Sequence, residues 1–265
     1  MLHDLSNMKC VILAGGLGTR ISEETINKPK PMIEIGGHPI IWHIMKIYSH
    51  YGIKNFIICC GYKINNFKEY FINYNLFHNN FTINLKNQEI SLDQNLTDDW
   101  NVSIVDTGEK TMTGGRLLRI KDYLKNDDNF FLTYGDGVSD ININNLYDYH
   151  LKNDKVATLS AVYPSGRFGK LEIRNNLVET FNEKQKGDIG RINGGFFVFK
   201  KKIFDYIEND KTILEKGPLE QLSYEKQLVA YSHNGFWQCM DNLRDKEYLE
   251  SLYNFGDPKW KIWIS

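Results

Sequence analysis

The sequence predicts an α/β fold, a doubly wound and mainly parallel sheet with helices on both faces. Three observations predict it. Residues 9–14 (KCVILA) form a short apolar run that stops at Gly15-Gly16-Leu17-Gly18, and a run bounded in this way reads as a strand buried on both faces. A helical pattern, a second apolar run and another helical pattern follow, the alternation that builds a parallel sheet. No Pro/Gly/Ser-rich linker, internal repeat or low-complexity tract interrupts the 265 residues. One continuous unit over residues 8–260 is therefore expected, with residues 1–7 as an N-terminal extension that need not be ordered.

The elements follow in order. After the first strand, residues 39–51 place Ile40, Ile41, Ile44, Met45, Ile47 and Tyr48 at helical spacing. Pro39 suits a first helical position and Gly52 a stop. Residues 55–60 (NFIICC) read as the next strand and 64–74 as the next helix. The rhythm breaks at 75–107. There 81–85 and 102–105 read as strands around a polar stretch, 87–99, expected as an insertion or edge region overhanging a pocket. A helix is expected over 114–124 and a buried strand over 130–134 (FFLTY), ending at Gly135-Asp136-Gly137. The second half is richer in strands, at 156–163, 170–173, 177–181, 195–199, 228–231 and 236–240. Helices are expected at 201–208, 219–226 and 243–253.

Composition narrows the function classes. Hydrophobic residues make up 42% and charged residues 25%, the balance of a folded globular chain rather than a disordered or coiled-coil one. Lys+Arg 32 against Asp+Glu 33 gives a net charge of -1, which argues against general nucleic-acid binding. No apolar run reaches the ~18 residues of a membrane helix, and MLHDLSN does not read as a signal peptide. Cys10, Cys59, Cys60 and Cys239 lack zinc-type spacing, so reduced thiols in a cytoplasmic protein are expected.

Two stretches carry chemistry by residue type. The glycine turn at Leu13-Ala14-Gly15-Gly16-Leu17-Gly18-Thr19-Arg20 lets backbone N–H groups approach a phosphate, although a plain tight turn would look the same. It is neither a dinucleotide fingerprint nor a Walker loop, since the third glycine and the Gly-Lys-Ser/Thr are missing. In Lys28-Pro29-Lys30-Pro31-Met32, two prolines stiffen the chain around Lys30. A stiffened lysine loses less entropy on holding a phosphate oxygen; a solvated basic loop is the competing reading. On spacing alone Asp136 reads as the residue of an Asp-Gly turn and Asp241 as a helix N-cap. His43 and His150 fall in helical patterns and read as packed or surface residues.

Taken together, GGLGTR followed by KPKPM resembles the sugar-phosphate nucleotidyltransferases, which transfer a nucleoside monophosphate from a nucleoside triphosphate to a sugar 1-phosphate. TMTGGR (111–116), YGDG (134–137), RFG (167–169), NEK (182–184), NGG (193–195) and FWQCMD (236–241) follow in the family's order. The resemblance extends over residues 8–260 and is weakest over 75–100. Gln185 also departs from the family's usual Glu-Lys-Pro. The resemblance implies the family's nucleotidyltransferase fold, a Rossmann-like mixed, mainly parallel sheet. It implies a homo-oligomer acting in the cytoplasm on nucleotide sugars for surface polysaccharide.

Within the family the likeness points to CTP and α-D-glucose 1-phosphate as substrates, giving CDP-glucose and pyrophosphate. Another sugar 1-phosphate, another pyrimidine triphosphate, or a non-catalytic sugar-nucleotide-binding regulatory subunit on the same fold are the alternatives. The resemblance implies Mg²⁺ held by Asp136 and Asp241, with Lys30, Arg20 and Asp136 as catalytic residues. It places Leu13, Ala14, Gly15, Gly16, Gly18, Thr19, Arg20, Thr111, Arg116 and Gly135 at the nucleotide, with Thr111 and Arg116 on the cytosine side. Lys30, Glu183, Lys184 and Asn193 would meet the sugar phosphate.

Overall fold

The computed structural model describes residues 3–16, 18, 21, 25, 28–93, 98–164, 169–174, 177–183 and 190–263. Its centre is a seven-stranded sheet. In chain order the strands are β1 (Lys9–Leu13), β4 (Asn55–Cys60), β7 (Asn101–Asp106), β8 (Asn129–Tyr134), β10 (Ala157–Val162), β13 (Ile192–Lys200) and β14 (Leu228–Ser232). In space they lie β14-β10-β13-β8-β1-β4-β7. The pairs β1–β4, β1–β8, β4–β7 and β10–β14 are parallel, and β13 is antiparallel to both its neighbours. The sheet is thus mixed and mainly parallel, as expected.

Alternation along each central strand feeds two cores. Cys10, Ile12, Phe56, Ile58, Cys60, Phe131, Phe196 and Val198 face one side, while Val11, Leu13, Ile57, Cys59, Phe130, Leu132, Phe197 and Phe199 face the other. This is why the strands read as unbroken apolar runs: neither face meets water. The first core is closed by α1 (Ile40–His50), α2 (Ile64–Ile72), α5 (Ile143–Asn153) and α7 (Leu243–Asn254), through Ile44, Phe67, Leu146 and Leu249. The second is closed by α4 (Thr113–Arg119), α6 (Pro218–Tyr224) and two 3₁₀ turns, Lys121–Leu124 and Lys201–Tyr206. Each fully buried Phe or Leu contributes roughly 1.5–3 kcal/mol relative to exposure.

Several elements differ from expectation for local reasons. The helix expected over 114–124 breaks at Ile120 (φ -104, ψ 11) into α4 and the first 3₁₀ turn. The helix expected to reach residue 74 stops at Ile72. Asn73 (φ -96, ψ 11) then bends the chain into a short helix, α3 (Tyr74–His78). Pro39 is the N-cap of α1 rather than its first residue. It also pairs in a small hairpin, β2 (Glu34–Ile35) with β3 (His38–Pro39).

The polar stretch after residue 87 contains a strand. β5 (Phe81–Asn84) and β6 (Glu89–Leu92) form a hairpin standing apart from the main sheet and exposed along nearly its whole length. It does not line the large cavity described below. At the N-terminus, Leu5 is buried in the first core and His3 bonds Asp148 at 2.5 Å, so residues 3–7 dock on the fold.

Two further pairings matter for the site. β9 (Gly137–Ser139) pairs antiparallel with β15 (Trp237–Cys239), and β11 (Gly169–Arg174) with β12 (Leu177–Glu183). The run at 236–240 was expected as an ordinary strand; it pairs with β9 and not with the main sheet.

Candidate active site

The strand order reverses at β1, whose neighbours are β4 on one side and β8 on the other. In open α/β sheets the crevice beyond the carboxyl ends at such a point is where ligands bind. A cavity of about 680 Å³ opens there. Leu13, Ala14, Gly15, Gly16 and Gly18 from the turn after β1 line it, as do Lys30, Pro31, Thr111, Arg116, Gly135, Asp136, Asn193 and Asp241.

The turn after β1 is held open by the sheet beneath it. Ala14 N donates to Cys59 O at 3.0 Å and Gly135 N to Leu13 O at 3.0 Å. Gly18 has φ +66 and packs so tightly that an added Cβ would lie 2.9 Å from Thr25 and 3.2 Å from Lys30. Only glycine meets both demands. Lys30 then starts a 3₁₀ turn, Lys30–Met32, between extended Pro29 (φ -67, ψ 149) and buried Pro31. The prolines aim the lysine stem at the crevice.

Asp136 follows β8, and Asp241 follows β15. The β9–β15 ribbon joins them, with Cys239 opposite Gly137 and Met240 N donating to Asp136 O at 2.8 Å. Lys30 Nζ donates to Asp136 Oδ2 at 2.6 Å and to Asp241 Oδ1 at 2.7 Å. The lysine side chain is only 13% exposed. Burial alone would lower its pKa, but the two carboxylates outweigh burial and hold it above the usual 10.5. Asp241 is placed by its neighbours: its N–H donates to Asp245 Oδ2 at 3.0 Å, and Cys239 Sγ donates to its Oδ2 at 3.6 Å. Burial, and then Asp241 and Asp136, push the Cys239 thiol up to about 12. The N-cap of α7 is Asn242, whose side chain accepts from Asp245 N, which leaves the Asp241 carboxylate to the crevice.

Arg116 reaches the cavity but is 4% exposed, and its terminal nitrogens are already engaged. Nη1 donates to Gly108 O at 2.7 Å, Thr107 Oγ1 at 2.8 Å and Cys60 O at 3.0 Å, and Nη2 to Gly15 O at 2.9 Å and Glu109 O at 3.2 Å. It ties the turns after β1, β4 and β7 together. A Cβ on Gly15 would stand 2.0 Å from Arg116 Nη1, and one on Gly61 2.6 Å from it. The expectation that Arg116 donates directly to a base is therefore recast: in this arrangement it positions backbone. Gly135 lines the cavity too and packs closely beneath it: a Cβ there would meet Pro31 at 2.9 Å and Leu13 O at 3.2 Å.

Thr111 is buried on the cavity wall, and Asn193, on β13, also lines the cavity. Thr19, Arg20 and Lys184 fall outside the described residues, and Glu183 is described only as the last backbone position of β12. His43 and His150 are buried in the cores, bonding Ile35 O at 2.8 Å and Thr158 Oγ1 at 2.8 Å, away from the cavity. Sequence reasoning missed Gly61 and Glu215. The glycine after NFIICC was a visible signal for the first, but a lone Glu in a loop gave none for the second.

The nucleotidyl transferase family model matches residues 9–240. The chain belongs to the nucleotidyl transferase family. Among family members named for their activity, a glucose-1-phosphate cytidylyltransferase from Salmonella typhimurium is 54% identical over 97% of this chain and 100% of its own. A mannose-1-phosphate guanyltransferase from Saccharomyces cerevisiae is 28% identical over 91% of this chain and 63% of its own. HddC from Yersinia pseudotuberculosis has the same fold, with TM-score 0.66 and 23% identity over 93% of this chain and 99% of its own. Among the described residues, no helix is long and apolar enough to cross a membrane.

Proposed function

We propose that this chain transfers CMP from CTP to α-D-glucose 1-phosphate, giving CDP-glucose and pyrophosphate. The observation that carries the chemistry is the convergence of Asp136 and Asp241 on the Lys30 ammonium at the sheet's switch point. The choice of substrates rests on the full-length likeness to proteins named glucose-1-phosphate cytidylyltransferase.

A sugar phosphate is already a good nucleophile, so the protein's task is positioning and charge stabilisation. An oxygen of the sugar phosphate forms a bond to the α-phosphorus of CTP, while the bond from that phosphorus to the β-phosphate oxygen breaks and pyrophosphate leaves. The turn from Leu13 to Gly18 supplies backbone N–H groups for phosphate. Arg116, by gripping Gly15 O, keeps that turn in place. Lys30 supplies positive charge to phosphate oxygens as it accumulates. Arg20, Thr19, Thr111 and Gly135 complete the nucleotide side of this reading, and Glu183, Lys184 and Asn193 the sugar side.

The donor set fits Mg²⁺. Two hard carboxylates already converge on one positive charge, and Mg²⁺ characteristically takes one or two carboxylates plus phosphates and water. When bound by Asp136 and Asp241, the ion would neutralise triphosphate charge and favour loss of pyrophosphate. We also assign the chain to the cytoplasm and to a homo-oligomer making nucleotide sugars for surface polysaccharide. The test is pyrophosphate release over a grid of nucleoside triphosphates and sugar 1-phosphates with Mg²⁺. CTP with glucose 1-phosphate should be fastest; no release with any pair would overturn the proposal.

A further inference from the structure

Behind the cavity wall stands a carboxylate that no motif singles out. The Tyr134 hydroxyl donates to Glu215 Oε1 at 2.5 Å, and Thr113 Oγ donates to Glu215 Oε2 at 2.7 Å. Thr113 Oγ in turn accepts from Leu214 N at 2.8 Å. Tyr134 ends β8 and Thr113 opens α4, so Glu215 joins the two walls. Tyr134, Thr113 and Asn193 all line the cavity.

This contact has a chemical consequence. At neutral pH a tyrosine phenol carries its proton, and the Glu215 carboxylate is the acceptor it donates to. A phenol has a single proton, and that proton points at Glu215. Toward the cavity the oxygen is left as an acceptor only. Asn193 Nδ2 donates to it at 3.4 Å, a long contact that leaves amide N–H capacity unspent. Asn193 Oδ1 accepts from Gly195 N at 2.9 Å, which settles which end of the amide faces Tyr134. The wall thus presents an acceptor oxygen beside a donor nitrogen. That pair complements a hydroxyl, which donates and accepts at once.

We infer that Tyr134 and Asn193 read one hydroxyl of the sugar 1-phosphate, and that Glu215 is the positioning residue that commits the phenol to accepting. The inference rests on the proposed function for the identity of the ligand class. A purely mechanical clasp between α4 and β8 would hold the wall without caring which hydroxyl a substrate carries.

The test measures kcat/KM for the sugar 1-phosphate that the wild type uses, its monodeoxy analogues and its deoxyfluoro analogues. Wild type should penalise one deoxy position by at least about tenfold, the cost of leaving buried polar groups unpaired. The fluoro analogue at that position should fare equally badly, because fluorine cannot donate to an acceptor. Tyr134→Phe, which leaves Glu215 and Thr113 in contact, should raise KM more than it lowers kcat and bring that penalty to within about twofold. Glu215→Met, which removes both acceptor oxygens, should free the phenolic proton to turn toward the cavity, so that the fluoro analogue recovers relative to the deoxy one. An unchanged penalty in Tyr134→Phe overturns the reading of the hydroxyl. A uniform loss in Glu215→Met with every ratio kept overturns the role of Glu215. A wild type that turns over no sugar phosphate overturns the proposed function, and this inference with it.

Discussion

Asp136 Oδ2 and Asp241 Oδ1 accept from one and the same ammonium, that of Lys30, at 2.6 and 2.7 Å. Neither aspartate belongs to a strand of the main sheet; the β9–β15 ribbon brings them together. Two carboxylates this near a common point repel each other unless a cation lies between them. The protein places a lysine there, and the proposed reaction would place a metal ion and phosphates in the same neighbourhood.

Asp136→Asn and Asp241→Asn should each reduce turnover by at least about 10²-fold, on the scale of losing one charge-stabilising group. The residual activity should need more Mg²⁺ to saturate. Initial rates over an Mg²⁺ titration decide the matter. Wild-type turnover at wild-type Mg²⁺ in either variant would remove that aspartate from the ion.

Lys30→Ala should lower turnover roughly 10²–10³-fold. Because the folded pKa of Lys30 is raised above 10.5, its ion pairs stabilise the fold fully below pH 10.5 and are lost as pH rises through the folded value. The substitution therefore removes stability at neutral pH and leaves two carboxylates facing each other. Mg²⁺ alone should raise the Tm of Lys30→Ala more than that of wild type in thermal unfolding. Equal shifts would show that the lysine and the ion do not share the carboxylates.

Arg116→Ala should lower kcat/KM for CTP and UTP together, by about ten- to a hundredfold, because it frees the Gly15 turn rather than a base contact. Gly15→Ala should do the same, since its Cβ would meet the guanidinium at 2.0 Å. Steady-state kinetics with both nucleotides are the check. A selective loss for CTP in Arg116→Ala would return the guanidinium to direct base recognition.

Burial lowers His43 and His150 from 6.5 to about 4. Between those values the unfolded chain binds protons that the folded protein refuses, so stability is lost as pH falls from 6.5 to 4. By about pH 8 neither group contributes appreciably to the slope. The loss should approach roughly 3 kcal/mol per histidine. Urea unfolding at pH 7, 5.5 and 4.5 should show it, and His150→Gln should flatten the slope. An unchanged slope in that variant would assign the acid sensitivity to carboxylates instead.

Much of this was legible in the chain itself. KCVILA, NFIICC and FFLTY read as doubly covered strands because both faces of a central strand are buried, leaving no polar alternation to confuse the pattern. Gly15, Gly18 and Lys30 stood out because turns and stiffened loops leave local marks in glycine and proline, whereas Asp136 and Asp241 were singled out by the family resemblance and not by their spacing. What the chain could not show were the relations that depend on side chains meeting across distant segments. The antiparallel setting of β13, the ribbon joining the two aspartates and the hold of Glu215 on Tyr134 each pair residues far apart in sequence. The family resemblance alone pointed to Arg116 as a reader of the base. Only the packed structure places the carbonyls of Gly15, Cys60, Gly108 and Glu109 around it, because a hydrogen bond's partner is set by where the backbone ends up, not by the residue that donates.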